Sequence, residues 1–188
     1  MRFTKVLAAV GLLAAGWLWF GRDPRRVPPS GRGLIVSPAD GRVLAVERAS
    51  SAPLWLREPV WRIVIFLSLW DVHVQRAPAA GRVALSAWQT GGYAPAMRPG
   101  AAANAGHWLG LETDAGLLLI LRTAGLLVRR VTTAVALGQP VARGQRIGRI
   151  LFGSRTEIFL PISLQPAVAP GDHVRAGETI IARQTGGA

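Results

Sequence analysis

The sequence predicts a mainly β fold: an antiparallel barrel-sandwich-like domain preceded by an N-terminal hydrophobic membrane-anchor helix. Beyond the first 33 residues, short apolar or alternating segments follow one another, and Gly or Pro stands near most of their ends, as is typical of strands and turns. Helical periodicity is scarce after the N-terminus. The phrase Gly-X-X-Val-X-X-Gly-X-X-Ile also occurs twice, from Gly138 and from Gly171, which predicts two equivalent hairpins.

The first element is the uncharged apolar run over residues 6–20. As a helix it would reach about 22 Å, which is shorter than the roughly 30 Å hydrocarbon core. A short tilted span, a re-entrant anchor, a signal peptide and a buried core helix are therefore alternatives. Trp17 and Trp19 stand where a signal peptide needs small residues, and they suit a membrane interface. We predict a membrane anchor over 1–21 and a basic, proline-rich linker over 22–33.

The predicted domain, residues 34–188, contains a series of short strands. A loop over 93–106 separates two groups of them, because Ala, Gly and Pro fill this stretch without a period. The strands are predicted at 34–36, 42–48, 60–69, 82–88, 107–112, 117–122, 126–131, 147–152, 156–160 and 179–183.

Composition restricts the classes of function. The 188 residues suffice for one domain with a core. The formal net charge of +12 favours an anionic partner. We expect a membrane surface and no nucleic acid, because no stacking aromatic motif interleaves with the arginines. The chain has no cysteine, which excludes disulfides, thiolate metal sites and cysteine nucleophiles.

Two other functions known on barrel-sandwich folds fit this sequence poorly. A biotin or lipoate carrier needs a lysine at a hairpin tip, but Lys5, in the N-terminal segment, is the only lysine. A zinc peptidase needs two or three converging histidines and a carboxylate. His73, His107 and His173 are scattered and form no His-X-His pair. We therefore predict no metal.

The bond between Gly153 and Ser154 is a candidate site of self-cleavage. A Gly-Ser pair in a β-rich protein is ordinarily a turn. At such a bond, however, the serine hydroxyl can attack the glycine carbonyl and convert the amide into an ester. Elimination and hydrolysis then leave a pyruvoyl group on the new N-terminus. Glycine suits the first position because it tolerates strained conformations.

Several segments, in this order, carry a resemblance to a known family. They are 20–28 (FGRDPRRVP), 37–41 (SPADG), 71–78 (DVHVQRAP), 128–130 (VRR) and 144–155 (GQRIGRILFGSR). With them the chain resembles the phosphatidylserine decarboxylase proenzymes, in the short form found in many bacteria and archaea. The resemblance covers most of the chain.

The resemblance implies pyruvoyl-dependent decarboxylation of phosphatidylserine to phosphatidylethanolamine. Self-cleavage at Gly153–Ser154 would give a β chain, 1–153, and an α chain, 154–188. The covalent pyruvoyl group derived from Ser154 would be the cofactor, and a phospholipid the substrate. The two cleavage products would form a heterodimer that could assemble further. The protein would reside at the cell membrane, with its catalytic domain on the cytoplasmic side.

His73 and Asp40 are the candidates to activate Ser154, because a serine hydroxyl needs a base. Without cysteine or a usable lysine, that base is a histidine or a carboxylate. Alternation along the segment 71–74 puts Asp71 and His73 on one face. Asp40, at the end of a strand, would orient or charge-pair the histidine. Taken alone, each has a structural interpretation, a satisfied histidine and an Asp-Gly turn; in the family, the matching residues are implicated in processing and catalysis.

Two further features concern the substrate. Arg76 and Arg155 could hold the phosphodiester bidentately. Short-form relatives usually show Asn-Glu-Arg before the position of His107, whereas this chain has Asn-Ala-Gly at 104–106. This departure leaves two alternatives: a decarboxylase of a related serine-headgroup ether lipid, or a processed but weakly active paralogue.

Overall fold

A computed structural model describes residues 11, 16, 18–49, 56, 59–125, 130–151 and 154–184. Fourteen strands alternate with turns in this part of the chain. They are β1 Leu34–Val36, β2 Gly41–Ala49, β3 Val60–Leu67, β4 Val74–Arg76, β5 Gly81–Gln89, β6 Gly106–Thr113, β7 Gly116–Thr123, β8 Arg130–Thr133, β9 Pro140–Val141, β10 Arg146–Leu151, β11 Ser154–Pro161, β12 Leu164–Pro166, β13 His173–Val174 and β14 Ile180–Gln184.

The main body is a curled antiparallel sheet of eight strands, ordered β13-β2-β3-β11-β7-β6-β5-β9. Two three-stranded antiparallel sheets accompany it, ordered β1-β14-β12 and β4-β10-β8. Strand β11 lies inside the large sheet, where it pairs with β3 along its whole length and with β7 over Arg155–Phe159. This central position explains why β11 is buried on both faces rather than alternating between core and solvent.

The two faces of β11 enter different apolar clusters. Ile158 and Leu160 join the main core. Phe159, which points the other way, packs against Trp108 in a second cluster with ring centroids 5.6 Å apart. Ser154 and Thr156 therefore share the face of Ile158 that looks into the main core.

The repeated phrase of the sequence corresponds to two turns of the same design. Gly138 has φ +80° and Gly171 has φ +102°, a region that favours glycine. The Gly138 N–H donates to the carbonyl of Val83 at 2.7 Å, and the Gly171 N–H donates to that of Val43 at 2.8 Å. Each turn thus closes onto a strand of the large sheet.

The predicted fold is wrong in its N-terminal membrane-anchor helix. The run over 6–20 lies mostly outside the described residues, and 18–20 form a helical turn. Among the described residues no helix is both long and apolar enough to cross a membrane. The helix that the described residues do form is the short 3₁₀ helix Pro99–Ala103. The end of the run turns onto the domain, because Phe20 is buried with its ring 4.3 Å from that of His73.

Candidate active site

Ser154 is the first residue of β11 and is fully buried. It pairs with Leu67 of β3. Its hydroxyl has no hydrogen-bond partner among the described residues. Phe152 and Gly153, which precede it, lie outside the described residues. A buried hydroxyl without a partner costs free energy, so it is a candidate for chemistry rather than for stability.

The small sheet of β4 and β10 brings His73 toward the start of β11. Gln75 of β4 pairs with Gly148 of β10, and its side-chain oxygen accepts a hydrogen bond from Thr156 Oγ1 at 3.0 Å. His73 precedes Gln75 by two residues, as Ser154 precedes Thr156. The carbonyl of His73 also accepts a hydrogen bond from the N–H of residue 150, close before β11. We infer that His73 and Ser154 occupy neighbouring positions at one end of this interface.

His73 is protonated at Nδ1 and, within the described part of the chain, free at Nε2, which allows it to act as a base. Its Nδ1 lies 2.9 Å from the carbonyl oxygen of Asp71, and because a carbonyl only accepts, Nδ1 carries the proton. Nε2 is buried without a partner among the described residues, so its lone pair is free when the ring is neutral. Burial lowers the pKa of His73 below 6.5, although Asp71 opposes the shift. The neutral ring therefore predominates at neutral pH.

Asp40 follows β1 and has both carboxylate oxygens occupied. Oδ1 accepts from the N–H of Ala176 at 2.7 Å, and Oδ2 pairs with Arg26 at 2.8 Å. Burial raises the pKa of Asp40, and the hydrogen bond from Ala176 and the charge of Arg26 act against that rise. Neither ring nitrogen of His73 bonds to this carboxylate. Any effect of Asp40 on the histidine is therefore exerted without a direct hydrogen bond.

Arg76 and Arg155 both have partners within the protein. Arg76 donates to the carbonyl of Gly144 at 3.0 Å and pairs with Asp23 at 2.7 Å. Arg155 pairs with Glu157 at 2.6 Å. It points away from Ser154, because it occupies the alternate face of β11. Binding of the phosphodiester by these two arginines stays a prediction.

A cavity of about 560 Å³ lies on that alternate face of β11. Trp108, Leu121 and Phe159 supply its apolar wall, and Arg62 and Glu157 form an ion pair of 2.6 Å in its lining. A smaller cavity of about 380 Å³ adjoins Asp40 and Val72, the neighbour of His73. Four arginines line that second cavity: Arg22, Arg25, Arg26 and Arg175.

Sequence reasoning missed several buried polar residues. Arg122 is fully buried and its guanidinium donates to His107 Nδ1 at 2.7 Å. Burial lowers the pKa of Arg122 to about 10 and, together with the Arg122 charge, that of His107 to about 4. Asn104 closes the loop before β6 through its bonds to the backbone of Ala94 and Ala124. Their sequence signal was slight: a polar residue inside or beside an apolar strand.

The fold and site thus define a mainly β protein with a buried serine at the start of one strand and a buried, neutral histidine just before another. Residues 13–182 match the family described as phosphatidylserine decarboxylase. A phosphatidylserine decarboxylase proenzyme of Symbiobacterium thermophilum is 43% identical over 180 residues, which cover 95% of this chain and 82% of that protein. One from Thermobifida fusca is 41% identical over 183 residues, 97% of this chain and 80% of that protein. The chain belongs to the phosphatidylserine decarboxylase family.

Proposed function

We propose that this protein decarboxylates phosphatidylserine to phosphatidylethanolamine after cutting itself between Gly153 and Ser154. The observation that carries the proposal is the buried Ser154 hydroxyl, which lacks a partner among the described residues and follows a glycine. Family membership and relatives named phosphatidylserine decarboxylase proenzyme support the substrate and the processing. They do not favour the ether-lipid or weakly active alternatives.

Self-cleavage uses groups of the chain itself. Nε2 of His73 takes the proton of Ser154 Oγ as the oxygen attacks the Gly153 carbonyl carbon. It returns this proton to the Ser154 nitrogen as the C–N bond breaks, which leaves an ester and a free amine. Loss of the Ser154 Cα proton then expels residues 1–153 as a carboxylate. The resulting 2-aminoacryloyl end takes up water and releases ammonia, which leaves a pyruvoyl group at position 154.

The environment of Ser154 fits a pyruvoyl group. Such a group supplies an electron sink for the electron pair that remains when CO₂ departs. Gln75 Nε2 is a buried donor without a partner among the described residues, and an amide N–H suits a carbonyl oxygen. From its inferred position beside Ser154, His73 Nε2 can hold a proton for this group. No separate residue binds this proposed cofactor, because Ser154 itself is converted into it.

The two cleavage products should remain a heterodimer. The small chain, 154–184 in its described part, supplies β11 inside the large sheet between β3 and β7. It also supplies β13, which pairs with β2, and β14, which pairs with β1. Separating the chains would expose the main core, at a cost of about 25 cal/mol per Å² of apolar surface.

The test combines mass, size and activity on one preparation. In denaturant, mass spectrometry should find chains 1–153 and 154–188 in place of the 20.0 kDa proenzyme. The mass of the small chain should be lower, by one NH₃, than that of the same peptide with an N-terminal serine. In native buffer the two should co-elute. The preparation should release CO₂ from phosphatidylserine in mixed micelles and none from free serine. An active preparation that contains only uncut chain would contradict the proposal.

We also propose that the protein works at the cytoplasmic face of the cell membrane, as a peripheral protein. Four exposed apolar side chains form what we call the tryptophan patch: Leu18, Trp19, Leu69 and Trp70, exposed by 78%, 54%, 44% and 76%. Arg22 joins its two halves, because it stacks on Trp19 at 4.3 Å and donates to the carbonyl of Trp70. Tryptophan beside arginine suits a headgroup interface, and this patch adjoins the segment that carries His73.

Replacing Leu69 and Trp70 with serine should weaken binding to phosphatidylserine-containing vesicles by about tenfold or more, because both side chains lose apolar contact with lipid. Vesicle sedimentation at low and high salt measures this. Leu137→Ser, at an exposed leucine outside the patch, should bind as wild type. Equal vesicle binding by all three proteins would exclude the tryptophan patch as the docking surface.

A further inference from the structure

The segment 20–33, which is the last two residues of the predicted anchor together with the predicted linker, lies on both residues proposed to activate Ser154. Phe20 packs its ring against His73, and Arg26 forms an ion pair with Asp40. Arg26 keeps only 9% of its side chain exposed, which is unusual for a linker arginine. The segment is therefore packed on the domain, whereas a simple linker would need no such contacts.

Arg26 binds two carboxylates that belong to different cleavage products. One guanidinium nitrogen lies 2.8 Å from Asp40 in the large chain, and the other lies 2.7 Å from Glu178 in the small chain. The second oxygen of Asp40 accepts from the N–H of Ala176, also in the small chain. Asp40 is thus fixed on one side by a side chain and on the other by a backbone amide.

The charges around Asp40 give Arg26 a particular importance. Burial and, to a smaller extent, the charge of Asp71 raise the pKa of Asp40, whereas the N–H of Ala176 and Arg26 lower it. Burial lowers the pKa of Arg76, and Asp40 is among the carboxylates that oppose this shift, but the ion pair of Arg76 is with Asp23. Among the described residues, Arg26 is the cation in an ion pair with this buried carboxylate.

We propose that Arg26 is a positioning residue for Asp40, which it keeps charged and correctly placed for self-cleavage by bridging it to Glu178. The proposal rests on the proposed function, because it assigns Asp40 a part in the processing of Ser154. Arg26 would make the same contacts if its role were purely structural. The positioning role and the structural role differ in pH dependence, since only a residue acting through the Asp40 charge changes the pH at which processing fails.

The experiment follows the conversion of freshly translated full-length chain to its two products between pH 5 and 9. Arg26→Gln should slow cleavage about tenfold at pH 7 and move the acid limb of the rate profile up by about one pH unit or more, because Asp40 then loses its charge at a higher pH than His73 and replaces it as the limiting group. A neighbouring cation typically lowers a carboxyl pKa by about 1–3; without it Asp40 is protonated at higher pH. Arg26→Lys should restore most of the rate. Arg32→Gln, an exposed arginine of the same segment, should behave as wild type.

A double variant separates the two explanations. With Asp40→Asn already present, Arg26→Gln should add no further pH shift. If Arg26→Gln instead slows cleavage equally at every pH, or not at all, the positioning role is wrong. Thermal unfolding of each variant in the uncleavable Ser154→Ala background identifies loss of folding. A wild-type chain that never cleaves would overturn the proposed function itself, which is a different result from unaltered cleavage in Arg26→Gln.

Discussion

Replacing Ser154 with alanine is expected to abolish both self-cleavage and decarboxylation. Alanine has no nucleophilic oxygen and cannot become a pyruvoyl group. The rate of CO₂ release should therefore fall by at least about 10³-fold, to the detection limit of the assay. The protein should appear as one uncut chain of 20.0 kDa. The fold should persist, because the hydroxyl that is removed has no hydrogen-bond partner among the described residues.

Intact-mass measurement and a thermal unfolding curve of Ser154→Ala test both halves of this expectation. Ser163→Ala, at an exposed serine of the same small chain, is the matched control and should process normally. A cleaved or active Ser154→Ala protein would mean that a residue other than Ser154 carries out the reaction. An unfolded variant would instead indicate that the buried hydroxyl has a structural role.

The strands were the most predictable part of the fold, because apolar alternation bounded by glycine or proline has a local cause. The segment predicted at 156–160 is β11, and that at 42–48 is β2. The order of the sheets was not predictable in this way. Pairing of β11 with both β3 and β7 depends on contacts far apart in sequence, which periodicity does not encode.

The candidate site was predictable one residue at a time. Motifs selected Ser154, His73 and Asp40, and their roles stay proposals. The partners of Asp40 were not predictable, because Arg26 stands in a stretch whose composition reads as a linker, and Ala176 contributes only its backbone. Composition says that a segment lacks a period, but it does not say whether that segment packs on the domain.

The membrane-anchor helix failed as a prediction for a related reason. Hydropathy measures what a segment could bury, and it does not identify what the segment is buried against. Phe20, the last residue of the apolar run, packs on His73 rather than facing outward. The exposed apolar residues beside it, including Trp70 from a distant turn, assemble a surface patch that no single segment contains.

His73→Ala is expected to leave uncut proenzyme, with processing slowed by about 10²–10⁴-fold, the usual contribution of a general base. Asp40→Asn should slow it less, because neither oxygen of Asp40 bonds to the histidine ring. In the wild type, the rate should rise with pH, with its midpoint below pH 6.5. The reason is that burial lowers the pKa of His73 from that value, and only the neutral ring accepts a proton at Nε2.

Pulse translation followed by gel analysis across pH 4.5–8 measures both the loss and the profile. His173→Ala, at an exposed histidine of the small chain, is the control and should keep the wild-type profile. Normal processing in His73→Ala would return this histidine to a structural role. A wild-type midpoint above pH 6.5 would mean that a group other than the buried neutral His73 supplies the base, because a lowered pKa places the loss of activity on the acid side of that value.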